Sequence, residues 1–181
     1  MANVLNRKTK EYLISVNTPD YSQEDWVINP NINLVKHLPV SHWIIDGDEV
    51  RPPNEIEIIS INESELSLQK NYILANVNLK TTTLLEAPIE ITNNKFVDSF
   101  NIDRILQNIF IGINYQFLNF PQTISLVDGK IFSIENQEQL NQILEIIITT
   151  RQNIFENANQ LKFQIQNAIS IEELLNIKDE R

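Results

Sequence analysis

The chain has no cysteine, and this absence removes several kinds of chemistry. Disulfide bonds, a thiolate nucleophile and cysteine-ligated zinc sites are all excluded. Glycine is rare, with 3 residues in the whole chain, and no Gly-x-Ser-x-Gly segment is present to hold a nucleophilic serine on a strained turn. The longest apolar run, Ile109–Ile113, includes a glycine and is far shorter than the roughly 20 residues that span a bilayer.

Positive charge is also scarce, because 14 Lys and Arg face 24 Asp and Glu and the formal net charge is −10. Nucleic-acid affinity depends on cations that neutralise phosphates, and anionic membranes attract basic segments, so neither partner is expected. The first sixteen residues lack the apolar core of a signal peptide. We therefore expect a soluble protein made in the cytoplasm, without a cofactor.

The order of local patterns predicts an α+β fold in three parts. Residues 1–53 are predicted to form a small β-hairpin module, residues 54–87 a helical connector, and residues 88–181 an α+β domain. In the first part, Asp46-Gly47 is typical of a type I′ hairpin turn. In the connector, Asn62 followed by Glu65 is a capping pattern that predicts a helix reaching about Leu79.

The C-terminal part has two hairpin patterns and three helix starts. Hairpins are predicted at 89–97 and 123–133, the second with an Asp-Gly turn. Asn101 is predicted to cap a helix that reaches Phe117. Asn136 with Gln139 is predicted to cap a long helix over 136–168, and Ser170 with Glu173 a short last one.

The long helix carries an apolar row at heptad spacing, interrupted once by Arg151. Its members are Leu140, Leu144, Ile147, Ile154, Ala158, Leu161, Ile165 and Ala168. Such a row offers a continuous coiled-coil-like seam to another helix, and the helix would be roughly 50 Å long. The half up to Ile148 is apolar almost all round, which favours burial in its own domain. The predicted oligomer interface is Leu144, Arg151, Ile154, Ala158, Leu161 and Ile165, with a trimer favoured.

Arg151 has two interpretations that the sequence leaves open. In an oligomeric bundle, one polar residue in an apolar row can fix the register and the number of chains. In a monomer, Arg151 would lie at the rim of the helix and pair with a carboxylate such as Glu145 or Glu156.

Both tryptophans of the chain and two of its four tyrosines lie in residues 1–53. Tyr12, Trp26 and Trp43 are the predicted docking surface, since aromatic rings provide large rigid contact areas. The alternative is that these rings, together with Tyr21, form the core of the small β module.

Residues capable of catalysis or metal binding are few. His37 and His42 are the two imidazoles, and Ser41 precedes the second, but a triad needs a positioned carboxylate as well. Asp46, Asp48 and Glu49 lie close together but lack the spacing of a calcium loop, so a hairpin turn is the favoured interpretation. We expect neither an enzyme nor a metal site.

Two stretches of the chain resemble phage proteins. The segments 6–21, 25–30 and 42–48 resemble N-terminal segments of proteins encoded in phage and prophage tail regions. Residues 88–177 resemble a domain of unknown function common at the C-termini of tail-fibre-associated proteins. In that domain a strand pair and a helix precede an Asp-Gly hairpin, here 127–130. A long helix follows, and the segment 168–174 matches its Ala-x-x-x-Glu-Glu-Leu ending.

This resemblance implies a non-enzymatic structural component of the virion tail, near the baseplate or the tail fibres. Its expected partners are other phage tail proteins and copies of itself. One alternative is a tail-fibre assembly chaperone, which would be absent from the finished particle. A less favoured alternative is a glycan-binding or glycan-cleaving tail protein. Cleavage requires a pair of carboxylates in a cleft, and Asp and Glu are too common in this chain for any one pair to be singled out.

Overall fold

The computed structural model describes residues 1–181 and contains nine β-strands and four α-helices. Helical residues, including the two 3-10 helices Thr18–Asp20 and Val40–His42, make up 49% of the chain and strands 19%, so the predicted α+β class is confirmed. The chain forms two compact units, Met1–Ser67 and Leu68–Arg181, here called unit 1 and unit 2. Helix α1 (Glu55–Glu86) contributes residues to both units. The division into three parts at 53 and 87 stays a prediction.

Unit 1 contains a three-stranded antiparallel sheet and a separate hairpin. The sheet has the order β2-β1-β3, and β4 pairs with β5. The strands are β1 (Ala2–Asn6), β2 (Tyr12–Val16), β3 (Trp26–Ile28), β4 (Ile44–Asp46) and β5 (Glu49–Arg51). Leu5 of the central strand lies opposite Tyr12 on one side and Val27 on the other. The core of unit 1 consists of Leu5, Val27, Val35, Trp43 and Val50.

The turn of the β4–β5 hairpin differs from the predicted type. Asp46 pairs with Glu49, so Gly47 and Asp48 form the two-residue loop. A type I′ turn needs a positive φ at both central residues, but of these two only Gly47 has one, at 59°. The type I′ prediction was therefore wrong, although the hairpin itself is present.

Helix α1 begins earlier than the sequence analysis predicted. The Asn54 side chain accepts a hydrogen bond from the Glu57 backbone at 2.9 Å, and the Glu57 carboxylate accepts one from the Asn54 backbone at 2.8 Å. This reciprocal pair is a capping box. The prediction of a start at Asn62 was wrong because the same pattern occurs eight residues upstream, directly after Pro52-Pro53.

Unit 2 combines two hairpins with helices. Its strands are β6 (Ile89–Thr92), β7 (Lys95–Val97), β8 (Gln122–Ser125) and β9 (Ile131–Ile134). Its helices, besides the end of α1, are α2 (Ile102–Asn114), α3 (Gln137–Asn167) and α4 (Ile171–Asn176). Both predicted hairpins are present, and the Val127 amide joins them by donating to the Phe96 carbonyl at 2.9 Å.

The core of unit 2 lies between these hairpins and the helices α2 and α3. Its buried members include Val97, Leu106, Ile134, Leu140 and Ile147. Burial of Leu140, Ile143 and Ile147 confirms that the first half of α3 packs into its own domain. Ile148, which was included in that prediction, is 61% exposed instead.

The helix caps of unit 2 match the predictions in two of three places. Asn136 accepts a bond from the Gln139 amide, and Ser170 accepts one from the Glu173 amide. Asn101 has helical backbone angles and its side chain makes no capping bond. The helix that follows it ends at Asn114, so Phe117 lies beyond the helix and is exposed.

Candidate interaction surface

Tyr12 and Trp43, two of the three predicted docking residues, belong to the core of unit 1. Trp43 is 3% exposed, and its indole nitrogen donates to the Leu38 carbonyl at 3.1 Å. The Tyr12 ring meets it edge-to-face at 5.4 Å between centroids. This burial favours the core alternative for Trp43, and its docking role stays a prediction.

Trp26, the third predicted docking residue, is partly exposed on strand β3. Its ring packs edge-to-face on Tyr21, with 4.9 Å between the centroids. This pair keeps an accessible surface, and its docking role stays a prediction.

His37 is exposed, whereas Ser41 and His42 lie in a short 3-10 helix of unit 1 and contact other segments of that unit. The His42 Nε2 atom lies 2.8 Å from the Glu65 carboxylate. The Ser41 carbonyl accepts a bond from the Lys10 ammonium at 2.9 Å. His42 therefore links its loop to the first half of α1.

The acidic hairpin of unit 1 is used for internal ion pairing. The Arg7 guanidinium bonds both the Gly47 carbonyl and the Asp48 carboxylate, which joins the sheet to the β4–β5 hairpin. Arg51 binds Glu57 through two bonds of 2.7 and 2.8 Å. These bonds, with the Asn54 amide, lower the pKa of Glu57 to about 2. No group of three or more His, Asp or Glu side chains is arranged to hold a metal ion.

The heptad row of α3, predicted as an oligomer interface, is largely covered by its own chain. Ala158 is 1% exposed and Ile165 is fully buried. Leu144, Ile154 and Leu161 are half-buried. Ala158 and Ile165 therefore have almost no surface left for a second chain, and the interface role of the row stays a prediction.

Arg151 binds the beginning of α2 rather than either carboxylate proposed for it. Its guanidinium forms an ion pair with Asp103 and donates to the Ser99 carbonyl at 2.7 Å. Glu145 and Glu156, the predicted partners, belong to the same helix as Arg151. The observed bonds join α3 to a segment about fifty residues earlier in the chain.

The end of α3 and the segment after α4 are each linked to α1 by polar bonds. The Lys70 ammonium donates to the Gln166 carbonyl at 2.8 Å. Farther along α1, Arg181 donates to the Thr81 hydroxyl at 2.8 Å and binds Asp179 through two bonds. The Arg181 guanidinium, together with the Lys80 ammonium, holds the pKa of Asp179 well below its usual range. The last residues of the chain are thereby fixed against α1.

The part of α1 in unit 2 has one face toward these contacts and another in solvent. Val77 and Thr81 are buried. At about 100° per residue, the opposite side of the helix carries Leu68, Tyr72 and Leu79, which are 67%, 66% and 68% exposed. Ala75 and Thr82, also exposed, complete this face. These five residues are called the α1 row.

The sequence contains a signal for the α1 row. Its members are separated by four, three, four and three residues, which is heptad spacing. The signal was hidden because Ile73, Val77 and Leu84 put apolar residues on the opposite face as well. A helix that is apolar on two faces has a weak one-sided pattern.

A second exposed apolar area lies near Arg151. Phe100 and Phe155 are exposed beside Leu85, and they line a depression of about 290 Å³. Unlike the α1 row, this area has no regular spacing along one element.

Comparison of the chain with models of protein families, with curated proteins and with solved structures finds no match. No helix combines the length and the apolar character needed to pass through a lipid bilayer.

Proposed function

We propose that this protein is a non-enzymatic structural component of a phage tail, at the baseplate or the tail-fibre attachment, and that it acts through oligomeric assembly. Its partners are copies of the same chain, with a trimer favoured, and other tail proteins. It is made in the host cytoplasm and incorporated into the virion.

One observation carries this proposal: α1 has two apolar faces, and its own chain covers one of them. The α1 row leaves three large side chains about two-thirds exposed along a single helix. Contiguous exposed apolar surface of this kind marks interaction sites in folded proteins. Association with another chain would bury this face, and the removal of apolar surface from water stabilises an assembly.

The tail assignment rests on the resemblance of the two stretches to phage proteins. The order of elements in unit 2 agrees with that resemblance: a hairpin, a helix, a hairpin with an Asp-Gly turn and then a long helix. The Asp128-Gly129 turn lies between β8 and β9, and the Ala168–Leu174 segment begins at the end of α3.

The proposal is tested first by the mass of the purified chain in solution. Light scattering after size exclusion, over a series of concentrations, is expected to give three times the chain mass of 21.0 kDa. A clean monomer at every concentration would contradict an assembly component that self-associates.

The tail assignment needs a second test, which separates it from the chaperone alternative. Purified particles of the phage that encodes the chain are expected to contain it in a fixed ratio to a known tail protein. Presence in infected-cell extracts together with absence from purified particles would reject the structural role and favour a chaperone.

A further inference from the structure

We propose that the α1 row binds the same row of identical chains, with the helices parallel and in register, so that α1 and not α3 is the oligomer seam. This inference names the partner of the surface described above, and it rests on the proposed function.

The spacing of the row matches what a second helix requires. Leu68, Tyr72, Ala75, Leu79 and Thr82 alternate at four and three residues, so they form one stripe that another helix of the same period can follow. The stripe is about 21 Å long. In the sequence, the same spacing continues upstream through Glu65 to Ile61 and Ile58.

Glu65 is the charged position in this longer row, and it already has a partner within unit 1. Its carboxylate lies 2.8 Å from the His42 ring nitrogen. A paired carboxylate on a partly exposed side chain costs less at an interface than an unpaired one.

The row cannot turn inward to be covered by its own chain, because the opposite face of α1 is occupied. Thr81 is buried, donates to the Val77 carbonyl at 2.6 Å and accepts a bond from Arg181. Rotation of the helix would break the bond from Arg181 and expose Val77. The α1 row therefore stays in solvent until a second molecule covers it.

The residues that flank the row favour an identical chain as the partner. These are the positions that face a neighbouring helix beside the seam, and here they are all uncharged: Gln69, Asn71, Asn76, Asn78 and Thr83. In a chain with a net charge of −10, carboxylates at these positions would repel a second copy. Amides carry both a donor and an acceptor, so each can pair with its own counterpart.

The parallel orientation follows from the trimer that the proposed function favours. Most oligomers of identical chains have closed point-group symmetry, and in a ring of three every chain is related to the next by rotation about one axis. Helices that meet along this axis point the same way. Each residue of the α1 row then lies beside the same residue of the neighbouring chains.

The absence of cysteine from the chain allows a direct test by cross-linking. Ala75→Cys and Thr82→Cys place single thiols in the middle and at the end of the row. Asn159→Cys, an exposed position of α3 outside the row, is the matched control. Under mild oxidation at a concentration where the native chain is oligomeric, both row variants are expected to give a band of twice the chain mass on a non-reducing gel. The control is expected to stay at the chain mass.

The possible outcomes separate this inference from the proposed function. If the native chain is oligomeric and neither row variant cross-links faster than the control, the α1 seam is wrong while self-assembly stands. Cross-linking at Ala75→Cys without Thr82→Cys rejects the parallel arrangement. A monomeric native chain rejects self-assembly and the seam together.

Discussion

Two arginines of unit 2, Arg151 and Arg181, join distant segments of the chain through charged hydrogen bonds. Arg151 links α3 to Asp103 and Ser99, and Arg181 links the last residues to α1. The heptad row indicated that Arg151 was a special position, but its partner could not be predicted. Local spacing identifies partners on the same helix, whereas Asp103 is brought to Arg151 by the packing of α2 on α3.

Replacement of Arg151 by leucine is expected to destabilise unit 2 without changing the mass of the oligomer. The loss of two charged bonds should lower the free energy of unfolding by about 1–2 kcal/mol, a moderate value because Asp103 is 44% exposed. Urea denaturation measures it. Arg104→Leu, which changes a neighbouring exposed arginine, should stay within about 0.5 kcal/mol of the native chain. A change in oligomer mass with Arg151→Leu would support the register interpretation instead.

Asp179 should contribute stability that depends on pH. Because its pKa is lowered in the folded state, the contribution is present above the unfolded pKa of about 3.9 and is lost as the pH falls below it. Asp179→Asn is expected to lower the free energy of unfolding by about 1 kcal/mol at neutral pH. This difference from the native chain should shrink below about pH 4.

Urea midpoints measured across this pH range check the expectation. Glu180→Gln is the matched control, since it removes the same charge from the next, exposed residue. A difference for Asp179→Asn that is constant with pH would contradict a role for the ionised carboxylate.

At the scale of elements, two of the three helix caps predicted in unit 2 are present. Asn136 and Ser170 cap their helices as the sequence indicated. Asn101 did not, because its backbone is already helical, whereas a capping residue typically has extended backbone angles. The capping box at Asn54 and Glu57 was missed because a second copy of the pattern lies inside the same helix.

The contrast between two asparagines provides a test. Asn136→Ala removes an observed cap of α3 and is expected to lower the free energy of unfolding by about 1 kcal/mol. Asn101→Ala removes no capping bond and should cost less than about 0.5 kcal/mol. Thermal or urea denaturation of both variants measures the difference. Equal losses would show that the Asn136 cap adds no stability beyond the loss of an asparagine.

The exposed apolar row lies on α1, whereas the sequence analysis predicted it on α3. The heptad row of α3 is mostly packed within unit 2, while the less conspicuous row of α1 is exposed. Burial of Leu68, Tyr72 and Leu79 in an interface would contribute roughly 3–6 kcal/mol per chain. Since association costs about 4–15 kcal/mol, this row predicts an oligomer whose population depends on concentration.

At the scale of the whole molecule, the sequence was sufficient to predict the fold class and the hairpins. It was not sufficient to predict which apolar residues are exposed. Turn residues such as Asp128-Gly129 act locally, and the β8–β9 hairpin formed where predicted. Exposure depends on which faces meet in the folded unit. The sequence of α3 contains an apolar row, but the arrangement of α1, α3 and the last residues decides that Ile165 is buried and Leu79 is not.

If the α1 row joins identical chains, charges placed in that row should reduce the mass of the protein in solution. Leu68→Glu combined with Leu79→Glu places two carboxylates in the row at positions that are exposed in the single chain, so folding should be retained. Leu175→Glu is the matched control, because this leucine of α4 is 69% exposed, close to the 67% and 68% of the two row leucines. Circular dichroism confirms that both proteins are folded.

Light scattering after size exclusion then compares the native chain with both variants at equal concentration. An α1 seam predicts an oligomer for the native chain and for Leu175→Glu, and a monomer of 21.0 kDa for the double variant. A double variant that is folded and keeps the native oligomer mass would contradict the claim that α1 is the seam.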